Sequence, residues 1–161
     1  MIRTSTRLQY ANGYLDLSMI KEAKLELEAI VDEDKNDLDV LRMWNRFHLV
    51  SENWFQLEVT AHTLTEKRPQ DPFGWVNWAY ALRELDKIQA AKNVASEALT
   101  RHPKEAVLWY NLACYCCLLG ELKDAKSHLE KTYKLDSNFK EEAAEDPDLQ
   151  ALRNSDKTEL F

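Results

Sequence analysis

Apolar and polar residues follow one another along most of this chain with the period of an α-helix. Trp109, Leu112, Ala113, Cys116 and Leu119 recur at helical spacing, and so do Leu122, Ala125, Leu129 and Thr132. Each series describes one amphipathic helix. Gly120 stands between them, where a helix C-terminus favours a residue tolerant of positive φ. Upstream, the pattern predicts helices near 5–17, 20–33 and 88–101, the last rich in alanine (Ala90, Ala91, Ala95, Ala98). Asp71 can cap a further helix whose first turn suits Pro72, with Trp75 and Trp78 on its inner side. The polar run Asp32 to Asp37 reads as a turn between units. It lacks the alternating ligands and central glycine of a calcium loop. No segment alternates with the period of a strand, so the chain is expected to be all-α.

The helices repeat. Stepping by 34 residues from Ala125 gives Ala91, Leu57 and Ala23; from Ala113, Ala79, Asn45 and Ala11; from Trp109, Trp75, Leu41 and Arg7. Pro69 and Pro103 fall at place thirty-two of two successive units. Trp at place four, Leu-Ala at seven and eight and Ala at twenty resemble the tetratricopeptide repeat (TPR). The resemblance covers residues 4–139 of 161, divided as 4–37, 38–71, 72–105 and 106–139, and leaves 140–161 as a C-terminal cap and tail. It implies a right-handed superhelical α-solenoid of helix-turn-helix units. Small side chains at places eight and twenty let the two helices of a unit cross closely. One unit cannot bury its own apolar face, so stability comes from stacking neighbours.

Three stretches depart from the pattern. In the second unit, Asn45 and Leu57 replace the small crossing residues, no glycine marks the turn Val50 to Asn53, and Trp44, Phe47, Trp54 and Phe55 add bulk. Its helices are expected to stand further apart, with the aromatic residues compensating. Gly13 lies inside the first helix, where a close backbone contact would account for it. After Phe139, an acidic run (Glu141 to Asp148) leads to Leu149 and Leu152. With Asp146 as cap and Pro147 in the first turn, 140–153 reads as a segment capping the last helix, and the final eight residues are expected to be mobile.

Composition narrows the function classes. The chain is 45% apolar and 30% charged, the profile of one ordinary domain, and has no apolar run of about 18 residues that could span a membrane. Three cysteines on one helix and an N-terminus without an apolar leader fit a cytoplasmic protein. A net charge of -7 argues against a general nucleic-acid or anionic-membrane binder. Cys114, Cys116, Cys117 and His128 tempt a metal reading, but one helix turn cannot converge three thiols on one ion. No phosphate loop or zinc-protease motif occurs, and the frame sets no histidine beside Cys114 or Cys117. No catalytic residue, metal ligand or cofactor is therefore expected.

The resemblance implies a binding module. In the family, places two, five, nine, twelve and thirteen of each first helix face a concave groove. They correspond here to Ser5, Leu8, Asn12, Leu15 and Asp16, then Asp39, Arg42, Arg46, Leu49 and Val50. The next two units give Phe73, Val76, Tyr80, Arg83 and Glu84, then Val107, Tyr110, Cys114, Cys117 and Leu118. The expected partner-binding residues are Arg42, Arg46, Asn77, Val76, Tyr80, Arg83 and Tyr110, receiving a protein or peptide segment that carries an acidic group. The alternative for these side chains is an Arg42–Asp39 pair and tyrosines packed between helices. A chaperone-type carboxylate clamp is matched at Arg42, Arg46 and Asn77 but not at Val107 and Asn111, and is not adopted. The alternative function is a self-assembling scaffold, a weak homo-oligomer, in which the exposed face of the first unit (Leu8, Leu17, Leu27) stacks on a second copy.

Overall fold

The structure, a computed structural model, describes residues 2–155 and 160–161. Four helix pairs follow one another among these residues. They are α1 (Thr4–Asp16) with α2 (Ile20–Glu28), α3 (Leu38–Val50) with α4 (Trp54–Lys67), α5 (Pro72–Glu84) with α6 (Ile88–Arg101), and α7 (Ala106–Leu118) with α8 (Leu122–Leu135). The first helix of each pair starts at 4, 38, 72 and 106. A C-terminal segment follows: α9 (Phe139–Glu145), a 3-10 turn (Pro147–Leu149) and α10 (Gln150–Ser155). Each of α1 to α8 packs mainly on its neighbours in sequence, giving an all-α helical-repeat solenoid. None of the helices is long and apolar enough to cross a membrane, among the described residues.

The repeat is written most regularly in the backbone of the inner turns. Ser18, Glu52, Asp86 and Gly120, each at place fifteen, have φ of 58°, 54°, 59° and 78°. Behind each, the next amide reaches back five residues at 2.8 Å: Met19 to Tyr14 O, Asn53 to His48 O, Lys87 to Leu82 O and Glu121 to Cys116 O. This is the Schellman closure of a helix, which favours glycine at the left-handed position. In three of the four turns a side chain bears the strain of that conformation. Glu52→Gly is accordingly expected to stabilise the protein by about 1 kcal/mol, read as a raised midpoint in chemical denaturation; a lowered midpoint would contradict it.

At the crossings, Ala11, Ala23, Ala79, Ala91, Ala113 and Ala125 are fully buried. So are Asn45 and Leu57, and α3 and α4 touch less extensively than α7 and α8. Asn45 Nδ2 donates to Thr60 Oγ1 at 3.2 Å, while its Oδ1 has no hydrogen-bond partner among the described residues. A close approach between units lies elsewhere. A Cβ at Gly74 would lie 2.9 Å from Thr65 N and 3.2 Å from Ala61 O, so glycine lets α5 close on α4. Trp75 and Trp109 add a repeated bond, their indole N–H groups donating to Pro69 O (3.1 Å) and Pro103 O (3.0 Å).

Several local expectations need correction. Gly13 makes no close backbone contact, because nothing lies within 4 Å of where its Cβ would be. The second helix of the first pair stops at Glu28, not near 33. The β-branched pair Ile30-Val31 leaves the helix, Ile30 turns into the core, and a 3-10 turn follows at Asp32–Asp34. Trp78 packs against His62 on α4, ring centres 4.4 Å apart, away from the inner face. At the C-terminus, 156–159 lie outside the described residues, but Leu160 packs against the larger core and Phe161 lies beneath the Arg153 guanidinium.

Candidate functional site

The inner faces of α1, α3 and α5 enclose an open cavity of about 770 Å³. Its wall takes Ser5, Leu8 and Asn12 from α1, Asp39, Arg42, Arg46 and Leu49 from α3, and Phe73 and Asn77 from α5. Apart from Asn77, these are groove places of the first three units, brought together by the 34-residue register. Gln9, Met43 and Asn77 complete it as place six of each unit, and Asn45 lies at its floor. Their common register is the signal that could have added Gln9 and Met43 to the expected groove.

Both arginines are held in place. Arg42 Nη1 donates to Asp71 Oδ2 at 2.8 Å, not to Asp39, and its guanidinium lies 4.6 Å from the centre of the Phe73 ring. Arg46 Nη2 reaches Asp16 Oδ1 at 2.5 Å and Nη1 donates to Asn12 Oδ1. Two cations four residues apart on α3 thus share one cavity, anchored on opposite sides by carboxylates of α1 and of the turn before α5. Both remain partly exposed, at 45% and 35% of their side-chain surface, so the pairs are weak enough to be exchanged for a ligand's carboxylate. Asn77 is spent differently. Its Nδ2 donates to Phe73 O at 2.8 Å, so this amide group is engaged within α5.

The other four expected residues lie apart from this cavity. Val76 packs, half-buried, against the larger core. Tyr80 stands edge-on to Trp54 at 5.9 Å and, with Arg83, lines a separate pocket rimmed by Glu84, Glu141, Glu142 and Glu145. Arg83 is bound in two places by Asp148: Nε donates to Oδ2 at 2.8 Å and Nη2 to Oδ1. The Asp148 carboxylate holds the guanidinium firmly protonated. Tyr110 is 3% exposed; its hydroxyl donates to Asp146 Oδ2 at 2.7 Å and its ring lies 4.9 Å from Phe139. The expectation of one groove running the length of the solenoid is therefore corrected. The C-terminal segment lies over the groove places of α7 and reaches Arg83 of α5, as well as touching α8. It also shields Cys114, beside Asp146, and Cys117, beside the Ala151 and Leu152 backbone.

The three thiols have separate surroundings. Burial pushes Cys114 and Cys117 up, and burial, with Glu121 beside it, pushes Cys116 up to about 12. A thiol raised in the folded state contributes stability that is full below its ordinary value of 9.0 and is lost as pH rises above it. Burial lowers His48 and His128, whose contribution is full above 6.5 and lost as pH falls through the lowered values. Denaturation midpoints are expected to be flat between about pH 7 and 9 and to fall on both sides. A midpoint still rising at pH 10 would contradict this.

Solved structures resemble the chain over nearly its whole length. The crystal structure of TTC0263, described as a thermophilic TPR protein in Thermus thermophilus, matches with a TM-score of 0.73 over 94% of this chain and 80% of that one, at 19% identity. The MamA crystal structure matches with a TM-score of 0.76 over 92% of this chain and 78% of that one, at 15% identity. The fold is the tetratricopeptide-repeat solenoid. No protein-family profile matches the sequence. Among curated proteins, FlbA of Caulobacter vibrioides is 35% identical over 72 residues, 45% of this chain, which spans 12% of the length of that protein. In a TPR fold, function follows from the surface that the stacked helices present, and here that surface is divided between an open half and a covered half.

Proposed function

We propose that the chain is a cytoplasmic, non-enzymatic protein-protein interaction module that takes an extended or helical peptide segment bearing a carboxylate into the cavity between α1, α3 and α5. The supporting observation is the cavity itself, with Arg42 and Arg46 side by side on its wall among Leu8, Leu49 and Phe73. Arginines next to apolar contact surface are the residue types that dominate peptide affinity. A ligand carboxylate would exchange with Asp71 or Asp16 for one guanidinium while its side chains cover the apolar wall. In this reading 4–37, 38–71, 72–105 and 106–139 act as four TPR units and 140–161 as the closing segment.

The partner is to be recovered by capture on the full chain and its binding segment titrated back. Arg42→Glu with Arg46→Glu is expected to weaken that segment at least tenfold, whereas Lys131→Glu on α8 leaves it unchanged. The affinity is also expected to fall with added salt, because part of the attraction is screened. Equal losses from Lys131→Glu would mean that net charge, not the cavity, is sensed. Of the face expected to stack on a second copy, Leu27 is fully buried and Leu8 lines the cavity, so a second reading rests on Leu17 and Leu25, which are 70% and 66% exposed on the first helix pair. Through them, one copy could stack on another as a scaffold, and light scattering that rises with concentration would favour it.

A further inference from the structure

We infer that the covered half of the groove, the inner faces of α5 and α7, is a second docking surface for an acidic amphipathic segment of a partner protein, which displaces the chain's own C-terminal segment. This goes beyond the cavity of the first three units and stands independently of it. The covering segment makes contacts of the kind a ligand makes. Asp148 grips Arg83 through two donors, and Asp146 accepts from the Tyr110 hydroxyl. Pro147 lies between them in a 3-10 turn closed by the Asp146 side chain on Asp148 N (2.9 Å). Leu149 and Leu152, one turn apart, are buried behind the carboxylates. Two carboxylates followed by two leucines on one face therefore define the chemistry that fits.

The positions contacted also mark a binding surface. Tyr110 and Cys114 occupy the places that Arg42 and Arg46 occupy in the second unit, where the groove is open. Arg83 and Cys117 occupy the place of Leu49. The covered and open halves are thus one surface in register, with an acidic segment already seated on one of them.

The segment is built to leave. Its pieces, Phe139–Glu145, Pro147–Leu149 and Gln150–Ser155, are far shorter than a helix that is stable alone. They can open locally, at a cost below that of unfolding the solenoid. A second copy is a poor occupant. An exchanged segment would make the same contacts in another molecule and gain nothing over the tethered one. A partner segment that adds contacts, for instance to the exposed ring of Tyr80, does gain.

The test uses a labelled synthetic peptide of sequence 139–155 and the full chain. Asp148→Lys weakens the tethered segment while leaving the surface intact. Fluorescence anisotropy is expected to show the peptide binding this variant at least ten times more tightly than wild type, with 1:1 stoichiometry. Adding Arg83→Glu, or replacing both peptide aspartates with asparagine, should cost at least tenfold, while Arg46→Glu should not, which separates this surface from the open cavity. Site-resolved alkylation of the wild-type chain gives a reading that needs no variant. Cys114 and Cys117 should label faster than Cys116 under native conditions, because they are uncovered when the segment opens. The inference is overturned by equal labelling of all three thiols. It is also overturned by equal peptide affinity for wild type and a natively folded Asp148→Lys chain, or by a wild-type dimer that exchanges its segments.

Discussion

Ending the chain at Asn138 is expected to lower its melting midpoint by about 10 °C or more and to make it associate. The removed segment buries Leu149 and Leu152 almost completely, each contributing on the order of 1.5–3 kcal/mol, an upper range because the unfolded chain already hides some apolar surface. Against a total of roughly 5–15 kcal/mol, that is a large share. At about 2–4 °C per kcal/mol for a chain of this size, the midpoint falls as stated. The truncation also uncovers Cys114 and Cys117, now at most 4% exposed, and leaves Arg83 and Tyr110 without their carboxylates. A newly exposed apolar end of this kind drives association. Differential scanning fluorimetry and sedimentation would check both parts. An unchanged midpoint with a monomeric product would show that the segment neither closes the solenoid nor shields α7.

Leu57→Ala is expected to cost about 2–5 kcal/mol, although it restores the small residue that the other three units carry at that place. Repeat logic alone predicts a neutral or favourable change, since Ala23, Ala91 and Ala125 occupy the equivalent crossings. Packing predicts the opposite. Leu57 is fully buried opposite Asn45, in the unit whose helices touch less extensively, so its side chain fills space that the other units close by approach. Removing it leaves a void beside an amide oxygen that already lacks a partner. Urea denaturation would measure the loss. A change within about 0.5 kcal/mol would mean that α3 and α4 collapse onto the alanine and that the leucine is neutral drift.

The solenoid was legible because its determinants are local and periodic. Alanines at the crossings, tryptophans at place four and the Asp71-Pro72 start place the helices without any long-range information. The turn geometry was half legible. Gly120 announces the left-handed residue, whereas Ser18, Glu52 and Asp86 adopt the same conformation because the Schellman bonds and the packed helices on either side impose it. Ile30-Val31 misled, since an apolar pair in phase with the helix is also what a chain leaving the helix can bury. The open cavity was readable in part: the register assigned Arg42 and Arg46 to the inner face, and they line it together. Arg83 and Tyr110 carry the same register but meet Asp148 and Asp146, 65 and 36 residues away. Pairings between a repeat and a non-repeating segment have no period, so no pattern along the chain could announce them.

The most direct measurement is a titration of the captured partner's segment against the full chain with Arg42→Glu and Arg46→Glu, with far-UV circular dichroism confirming the native helix content. A carboxylate received between α1, α3 and α5 predicts at least a tenfold loss of affinity, a weaker salt dependence than wild type, and a smaller loss from Arg83→Glu. Unchanged affinity in the double arginine variant, with binding abolished by Leu49→Ala and Phe73→Ala, would contradict it and leave an apolar site whose arginines serve only their partners within the chain.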